Sequence, residues 1–256
     1  DEYAATIARE TGKPELEVLA TEIVSACDAL EFYAKRAKRL LAERSVPLHL
    51  MKNKKLRLVY KPLGVVGIVT PWNFPFILSL NPTIQALAAG NAVVLKPSEA
   101  TPYSGRLVEE LFRAAGVPDG LVTCVLGDGE TGAALVEAGV DKIAFTGSVR
   151  TGRKVAEACG RQLIPCTLEL GGKDPMIVCA DADLERAANG AVYGAFANAG
   201  QVCVSTERVY VVDSVADEFL RRVVEKTALL RQGVGGEADV GPMIWGPQLD
   251  VIESHV

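Results

Sequence analysis

Three short stretches of this sequence carry residue types and spacings that could seat a phosphate or a ribose. Gly127-Asp128-Gly129-Glu130-Thr131-Gly132 has the G-x-G-x-x-G spacing, in which glycines let a strand-to-helix turn approach a pyrophosphate. The acidic residues on either side of the middle glycine would repel that anion, and none follows about 20 positions on to hold a ribose. The stretch therefore reads as a turn that at most touches the edge of a cofactor. Gly147-Ser148-Val149-Arg150-Thr151-Gly152-Arg153-Lys154 matches a P-loop as far as its second glycine. Where that loop needs Lys followed by Ser or Thr, Arg153-Lys154 leaves magnesium without a hydroxyl ligand. A Gly-Ser turn into a helix start still offers free N–H groups to a phosphate, and an ordinary Ser-capped helix explains the same residues equally well. Lys96-Pro97-Ser98-Glu99 is the third. Lys and Glu three apart can grip a ribose diol, one donating and one accepting, although in general such a pair is a surface ion pair.

Metal chemistry finds little support. The six cysteines, at 27, 124, 159, 166, 179 and 203, form no C-x-x-C pair, and the histidines are His49 and His255, so ligand clusters with zinc spacing are missing. Scattered thiols fit a reducing cytoplasm. With 27 Lys and Arg against 32 Asp and Glu, a net charge of −5 lacks the basic face of a nucleic-acid binder. The hydrophobic share is 49% and the charged share 23%. No apolar run reaches the roughly 18 to 20 residues of a membrane span, which leaves a soluble protein as the expectation.

The elements that would position these groups follow from periodicity. Apolar residues at Leu19, Ile23, Ala26, Leu30, Tyr33, Ala37 and Leu40 predict one long amphipathic helix over 16–41. Leu48-His49-Leu50 and Leu56 to Tyr60, separated by Lys52-Asn53-Lys54-Lys55, predict a β-hairpin, packed on its own domain or exchanged with another subunit. From Gly64 onward, strands at 65–69, 92–95, 121–126, 142–145 and 166–170 alternate with helices starting at Thr83, Tyr103, Thr131 and Thr151, the pattern of a doubly wound parallel sheet. A second series follows Gly171-Gly172: strand 176–179, helix 184–198, strand 208–212 and helix 215–230. The chain opens at Asp1 and stops at Val256 within helical patterns, so its length reads as a cut through a longer protein.

Pro71-Trp72-Asn73-Phe74-Pro75, Lys96-Pro97-Ser98-Glu99, Phe145-Thr146-Gly147-Ser148, Leu168-Glu169-Leu170-Gly171-Gly172-Lys173 and Gly200-Gln201-Val202-Cys203, in that order, resemble the aldehyde dehydrogenase superfamily over essentially the whole chain. The resemblance implies an α/β fold: a variant Rossmann parallel sheet with helices on both faces (residues 1–43 and 63–171), a β-hairpin oligomerisation arm (44–62), and the first part of a second α/β catalytic domain (172–256). It implies oxidation of a small-molecule aldehyde to a carboxylic acid. Cys203 would attack as thiolate to give a thiohemiacetal, and the Asn73 amide with the Cys203 N–H would stabilise the oxyanion. Loss of hydride leaves a thioester, for which Glu169 would activate water.

For the cofactor, the resemblance places Lys96 and Glu99 on the adenosine ribose, Ser148 on the pyrophosphate, and Trp72 and Leu170 along the nicotinamide path. Pro71, Gly127, Phe145, Gly147 and Gly171 flank these groups and complete the expected cofactor site. Glu99 favours NAD over NADP, because a carboxylate accepts from a ribose hydroxyl and repels a 2′-phosphate; NADP remains possible. A homodimer or homotetramer is implied for the parent protein. Two other readings stay open: transfer of the thioester to coenzyme A, against which Glu169 argues, and a truncated nucleotide-binding module without turnover.

Overall fold

The computed structural model of the chain describes residues 2–255. Helix α1 (Glu2–Thr11) is followed by α2 (Glu15–Val18), a π-helical turn (Leu19–Ile23) and α3 (Val24–Leu40). The single helix expected over 16–41 is thus interrupted by a π-turn, a widening that often accompanies function. It carries the fully buried Glu22.

Strands β1 (Arg44–Val46) and β2 (Leu56–Leu58) pair antiparallel, Arg44 opposite Leu58 and Val46 opposite Leu56. The hairpin forms as expected, but its first strand lies earlier than predicted, and Leu48-His49-Leu50 falls in the connecting loop. Pro47 offers no N–H to a ladder, and an ion pair between Glu43 and Arg57 at 2.7 Å holds the earlier register. Both strands are exposed throughout.

The main sheet consists of β3 (Val65–Val69), β4 (Ala92–Lys96), β5 (Val122–Cys124), β6 (Lys142–Gly147) and β7 (Cys166–Leu170). All are parallel, in the order β5-β4-β3-β6-β7. Helices α4 (Ile77–Ala88), α5 (Pro102–Ala114), α6 (Gly129–Glu137) and α7 (Val149–Gln162) connect them. Ile68, Leu95 and Ile143 are fully buried, as expected for strands covered on both faces. One core joins α1, the π-turn, α3, α4 and α5 to β3 and β4; another joins α6 and α7 to β6 and β7. The chain leaves β3 toward β4 and β5, then returns past it to β6, so β3 and β6 flank the switch point at whose carboxyl side such sheets bind ligands.

Two boundaries differ from the sequence reading for tertiary reasons. Helix α4 starts at Ile77 rather than Thr83 and contains Pro82, because Glu22 Oε2 accepts the N–H of Phe76 at 3.1 Å and of Ile77 at 2.8 Å and so caps the earlier start. The helix expected over 184–198 ends as α8 (Leu184–Phe196) and gives way to a 3₁₀ turn (Ala197–Gly200). The second unit is completed by β8 (Asp174–Val178) and β9 (Thr206–Val211), paired parallel, with α9 (Asp213–Thr227) and α10 (Gln248–His255). Its core gathers Val178, Ala188, Ala191 and Phe219. Cys179, expected in the strand, lies just past β8 and is exposed.

Helix α5 approaches the loop after β4 closely enough that a Cβ at Gly105 would stand 2.2 Å from Pro97 Cβ. Alanine in a helix interior gains about 1 kcal/mol over glycine, but overpacking against a rigid ring costs about 1–3 kcal/mol. Gly105→Ala is therefore expected to lower unfolding free energy by up to about 2 kcal/mol, read from the urea midpoint at unchanged m.

Candidate active site

The parallel topology brings the carboxyl ends of β3, β4, β6 and β7 to one edge of the sheet, where Lys96, Gly147, Ser148, Glu169 and Leu170 lie. Lys96 is the last residue of β4. Its buried ammonium stands 3.2 Å from Glu99 Oε2, while Glu99 is exposed. The Lys96 carbonyl accepts the Thr70 N–H at 3.2 Å, anchoring the turn that continues through Pro71, Trp72 and Asn73. Between β6 and β7, Thr146 lies opposite Glu169 and Gly147 opposite Leu170. Phe145 is buried beneath this edge, and Gly147 passes over its ring so closely that a Cβ would stand 2.7 Å away.

Ser148 caps α7, its Oγ accepting the Thr151 N–H at 3.2 Å. The helix start at Ser148 is thus Ser-capped, and the remaining N–H groups of its first turn have no partner within the helix. Gly127 begins the turn after edge strand β5 with φ +154°, and a Cβ there would stand 2.0 Å from Thr131 Oγ1. Asp128 caps α6 through the Glu130 N–H at 2.9 Å, which accounts for an acidic residue in that motif. Gly132, at the other end of the motif, is 3.9 Å from Lys96 Cδ as measured to an added Cβ. Glu169 and Gly171 are exposed at and just beyond the end of β7.

Cys203 is exposed in a turn before β9. The segment leading to it has an unusual backbone: Asn198 and Ala199 have φ of 52° and 56°, and Gly200 has 75°. Left-handed backbone at non-glycine residues costs about 1–2 kcal/mol each and persists only where surroundings hold it. Here the hold is specific. Asn73 Nδ2 donates to the Gln201 carbonyl at 2.9 Å, and Asn198 Nδ2 donates to the Asn73 carbonyl at 2.9 Å and to the Gln201 carbonyl at 3.2 Å. Gln201 Nε2 donates to the carbonyls of Asn198 at 2.7 Å and Pro242 at 3.3 Å, while its Oε1 accepts the Ile244 N–H at 2.9 Å. Glu17 accepts the Asn198 N–H, and Trp245 packs against Trp72 with ring centroids 6.1 Å apart. Asn73 and the Cys203 loop are therefore joined directly. Among the described residues no hydrogen bond joins Glu169 to either.

Sequence reasoning missed the support behind Asn73. Lys13 Nζ donates to the Asn73 carbonyl at 2.6 Å and to Glu22 Oε1 at 3.2 Å, with side chains 2% and 0% exposed. The same ammonium lies 4.1 Å from the Phe74 ring centroid. Burial pulls the Lys13 pKa down and pushes that of Glu22 up, and the attraction within the pair opposes both shifts. One signal was readable: Glu22 stands three after Leu19 and four before Ala26, on the apolar face of its helix. Lys13, between Gly12 and Pro14, gives no comparable sign, since lysines are rarely buried.

Gln201→Ala would remove the brace, leaving the Pro242 carbonyl and the Ile244 N–H without their side-chain partner and the Asn198 carbonyl with only the main-chain N–H of residue 201. At roughly 1 kcal/mol for each lost bond and more for stranded groups, a loss of about 2–3 kcal/mol is expected by urea unfolding, with faster backbone amide exchange across 198–203.

No helix among the described residues is long and apolar enough to cross a membrane, and no cluster of His, Cys, Asp and Glu among them could hold a metal ion. A family model described as aldehyde dehydrogenase family matches residues 1–256. The chain is 46% identical over 257 residues to 4,4'-diapolycopene aldehyde oxidase of Methylomonas sp, covering 100% of this chain and 48% of that protein. In three dimensions it is similar to the crystal structure of an E. coli NADP dependent enzyme (TM-score 0.94, 37% identity, 100% of this chain and 53% of that one). It is also similar to an NAD-dependent aldehyde dehydrogenase from Sinorhizobium meliloti (TM-score 0.93, 37% identity, 99% and 51%). The chain spans about half the length of the curated relatives it matches. Matched from end to end by that family model, and folded like these solved structures, the chain belongs to the aldehyde dehydrogenase family.

Proposed function

We propose that this chain supplies the nucleotide site and the catalytic cysteine of a hydrolytic aldehyde dehydrogenase that converts an aldehyde to a carboxylic acid. The observation that carries this reading is the 2.9 Å bond from Asn73 Nδ2 to the Gln201 carbonyl, two residues before Cys203. It ties a neutral amide donor to the segment that carries an exposed thiol. One N–H of that amide is committed to Gln201, and the second is left for an oxyanion, together with the Cys203 N–H.

The Cys203 thiolate adds to the aldehyde carbonyl, forming a C–S bond while the carbonyl electrons move onto oxygen, where Asn73 stabilises them. Collapse of this thiohemiacetal expels hydride and leaves a thioester on Cys203. Glu169 then takes a proton from water, whose oxygen attacks the thioester carbon, and the C–S bond breaks to release acid and thiolate.

The residues present fit a nicotinamide dinucleotide. Lys96 and Glu99 offer a donor and an acceptor to a ribose diol, and the start of α7 at Ser148 offers N–H groups to a pyrophosphate. Trp72, Leu170 and Gly171 stand beside the same edge. When bound, the dinucleotide supplies the hydride acceptor. Glu99 supports NAD over NADP, while Pro71, Phe145, Gly147 and Gly127 shape the turns around the site. The exposed hairpin β1–β2 supports assembly into a homodimer or homotetramer.

In the complete subunit, Cys203→Ala is expected to abolish NADH formation from aldehydes at 340 nm; activity at the wild-type level would remove Cys203 from the reaction. Glu169→Gln is expected to retain a first burst of NADH and to lower steady turnover by about 10²–10⁴-fold, so loss of the burst together with turnover would contradict the assignment of Glu169 to the hydrolytic step. Replacing Glu99 with Gln is expected to narrow the preference for NAD over NADP, read as the ratio of the two kcat/KM values.

A further inference from the structure

We propose that Lys13 is a positioning residue for oxyanion stabilisation: held by Glu22, its ammonium fixes the Asn73 main-chain carbonyl and thereby aims the Asn73 side-chain amide. This rests on the role of Asn73 proposed above. The pair touches Asn73 and three of the four residues that follow it into α4. Lys13 Nζ binds the Asn73 carbonyl at 2.6 Å and lies over Phe74 at 4.1 Å, and Glu22 holds the N–H groups of Phe76 and Ile77. The Asn73 carbonyl takes a second bond from Asn198 Nδ2, so the turn is clamped from the N-terminal helices on one side and from the Cys203 loop on the other.

A buried ion pair is a poor way to gain stability, since apolar residues of similar volume commonly do as well. What the pair provides is direction: an ammonium with several donors can bind a carbonyl and a carboxylate at once and present its remaining surface to an aromatic face. The oxyanion donor must lie within a fraction of an ångström of its working position, and a misplacement of about 1 Å can cost about 100-fold in rate. Lys13 touches neither aldehyde nor dinucleotide in this arrangement and acts through Asn73.

The test is the double variant Lys13→Met/Glu22→Gln in the complete subunit. Methionine fills the lysine stem, glutamine keeps an oxygen for the Phe76 and Ile77 N–H groups, and no unpaired charge is left inside. Single-turnover NADH formation is expected to fall about 100-fold. Alkylation of Cys203 by iodoacetamide, which attacks a tetrahedral carbon and needs no oxyanion donor, and KM for NAD are both expected to stay within about twofold of wild type. Lys13→Arg, which keeps charge and donors, is expected to recover about tenfold of the loss.

A single-turnover rate near wild type in the folded double variant would overturn the proposal. So would a parallel fall in alkylation and NAD affinity, because that pattern is a loosened fold, and so would equal losses in the arginine and double variants. If the wild-type subunit itself forms no NADH from any aldehyde, the oxidation reading fails first and takes this role with it, an outcome visible before any variant is made.

Discussion

Asn73 joins two stretches of chain that lie far apart in sequence: its side-chain amide donates to Gln201, 128 positions away, and its carbonyl receives the side chain of Asn198. Most of the remaining architecture can be understood as holding the two ends of that link. Strand β3 and the Thr70 to Lys96 bond set the root of the Asn73 turn. On the other side, three consecutive left-handed residues turn the chain from α8 toward Cys203. Their backbone strain is of the order of a few kcal/mol, comparable with the several hydrogen bonds of about 1 kcal/mol each that Gln201 and Asn198 make. A cysteine on a surface turn is thereby given a defined place.

The strand order decides what else stands near that link. Because the chain crosses back over β3 to lay down β6 and β7 parallel to it, the strands end at one edge, and Lys96, Ser148 and Glu169 stand at the ends of three of them, β4, β6 and β7. Close packing behind the edge is part of the same solution. Gly105 lets α5 sit on Pro97, and Gly152 lets α7 sit on Leu170, where a Cβ would stand 2.6 Å from the leucine methyl. The Lys96–Glu99 pair, the start of α7 and the Glu169 carboxylate thus stand on the ends of packed strands and a helix.

Legibility in the sequence followed the range of the interactions. Strands of the main sheet were readable because Val65-Val66 and Val93-Val94-Leu95 are buried on both faces and need no partner to identify them. The hairpin was readable as a pair of strands, but its register depended on Pro47 and on the Glu43–Arg57 bridge. The start of α4 was misplaced because its cap, Glu22, belongs to another helix. Candidate residues could be named because the motifs resemble those of a known family. The residues that hold them, Lys13, Glu22 and Asn198, were not named, since each acts through contacts that cross the fold.

By itself the sequence determined the kinds of element, their parallel arrangement, the family and the side chains capable of the chemistry, because periodicity and motif spacing are properties of neighbouring residues. Tertiary structure alone decided that Asn73 meets the Cys203 loop, that a lysine beside a turn is buried against a glutamate in a π-turn, and that a strained backbone at Asn198 and Ala199 is held in place. The physical reason is that a hydrogen bond over many tens of residues leaves no local trace: its donor and acceptor become partners only when the sheet and helices bring them within about 3 Å.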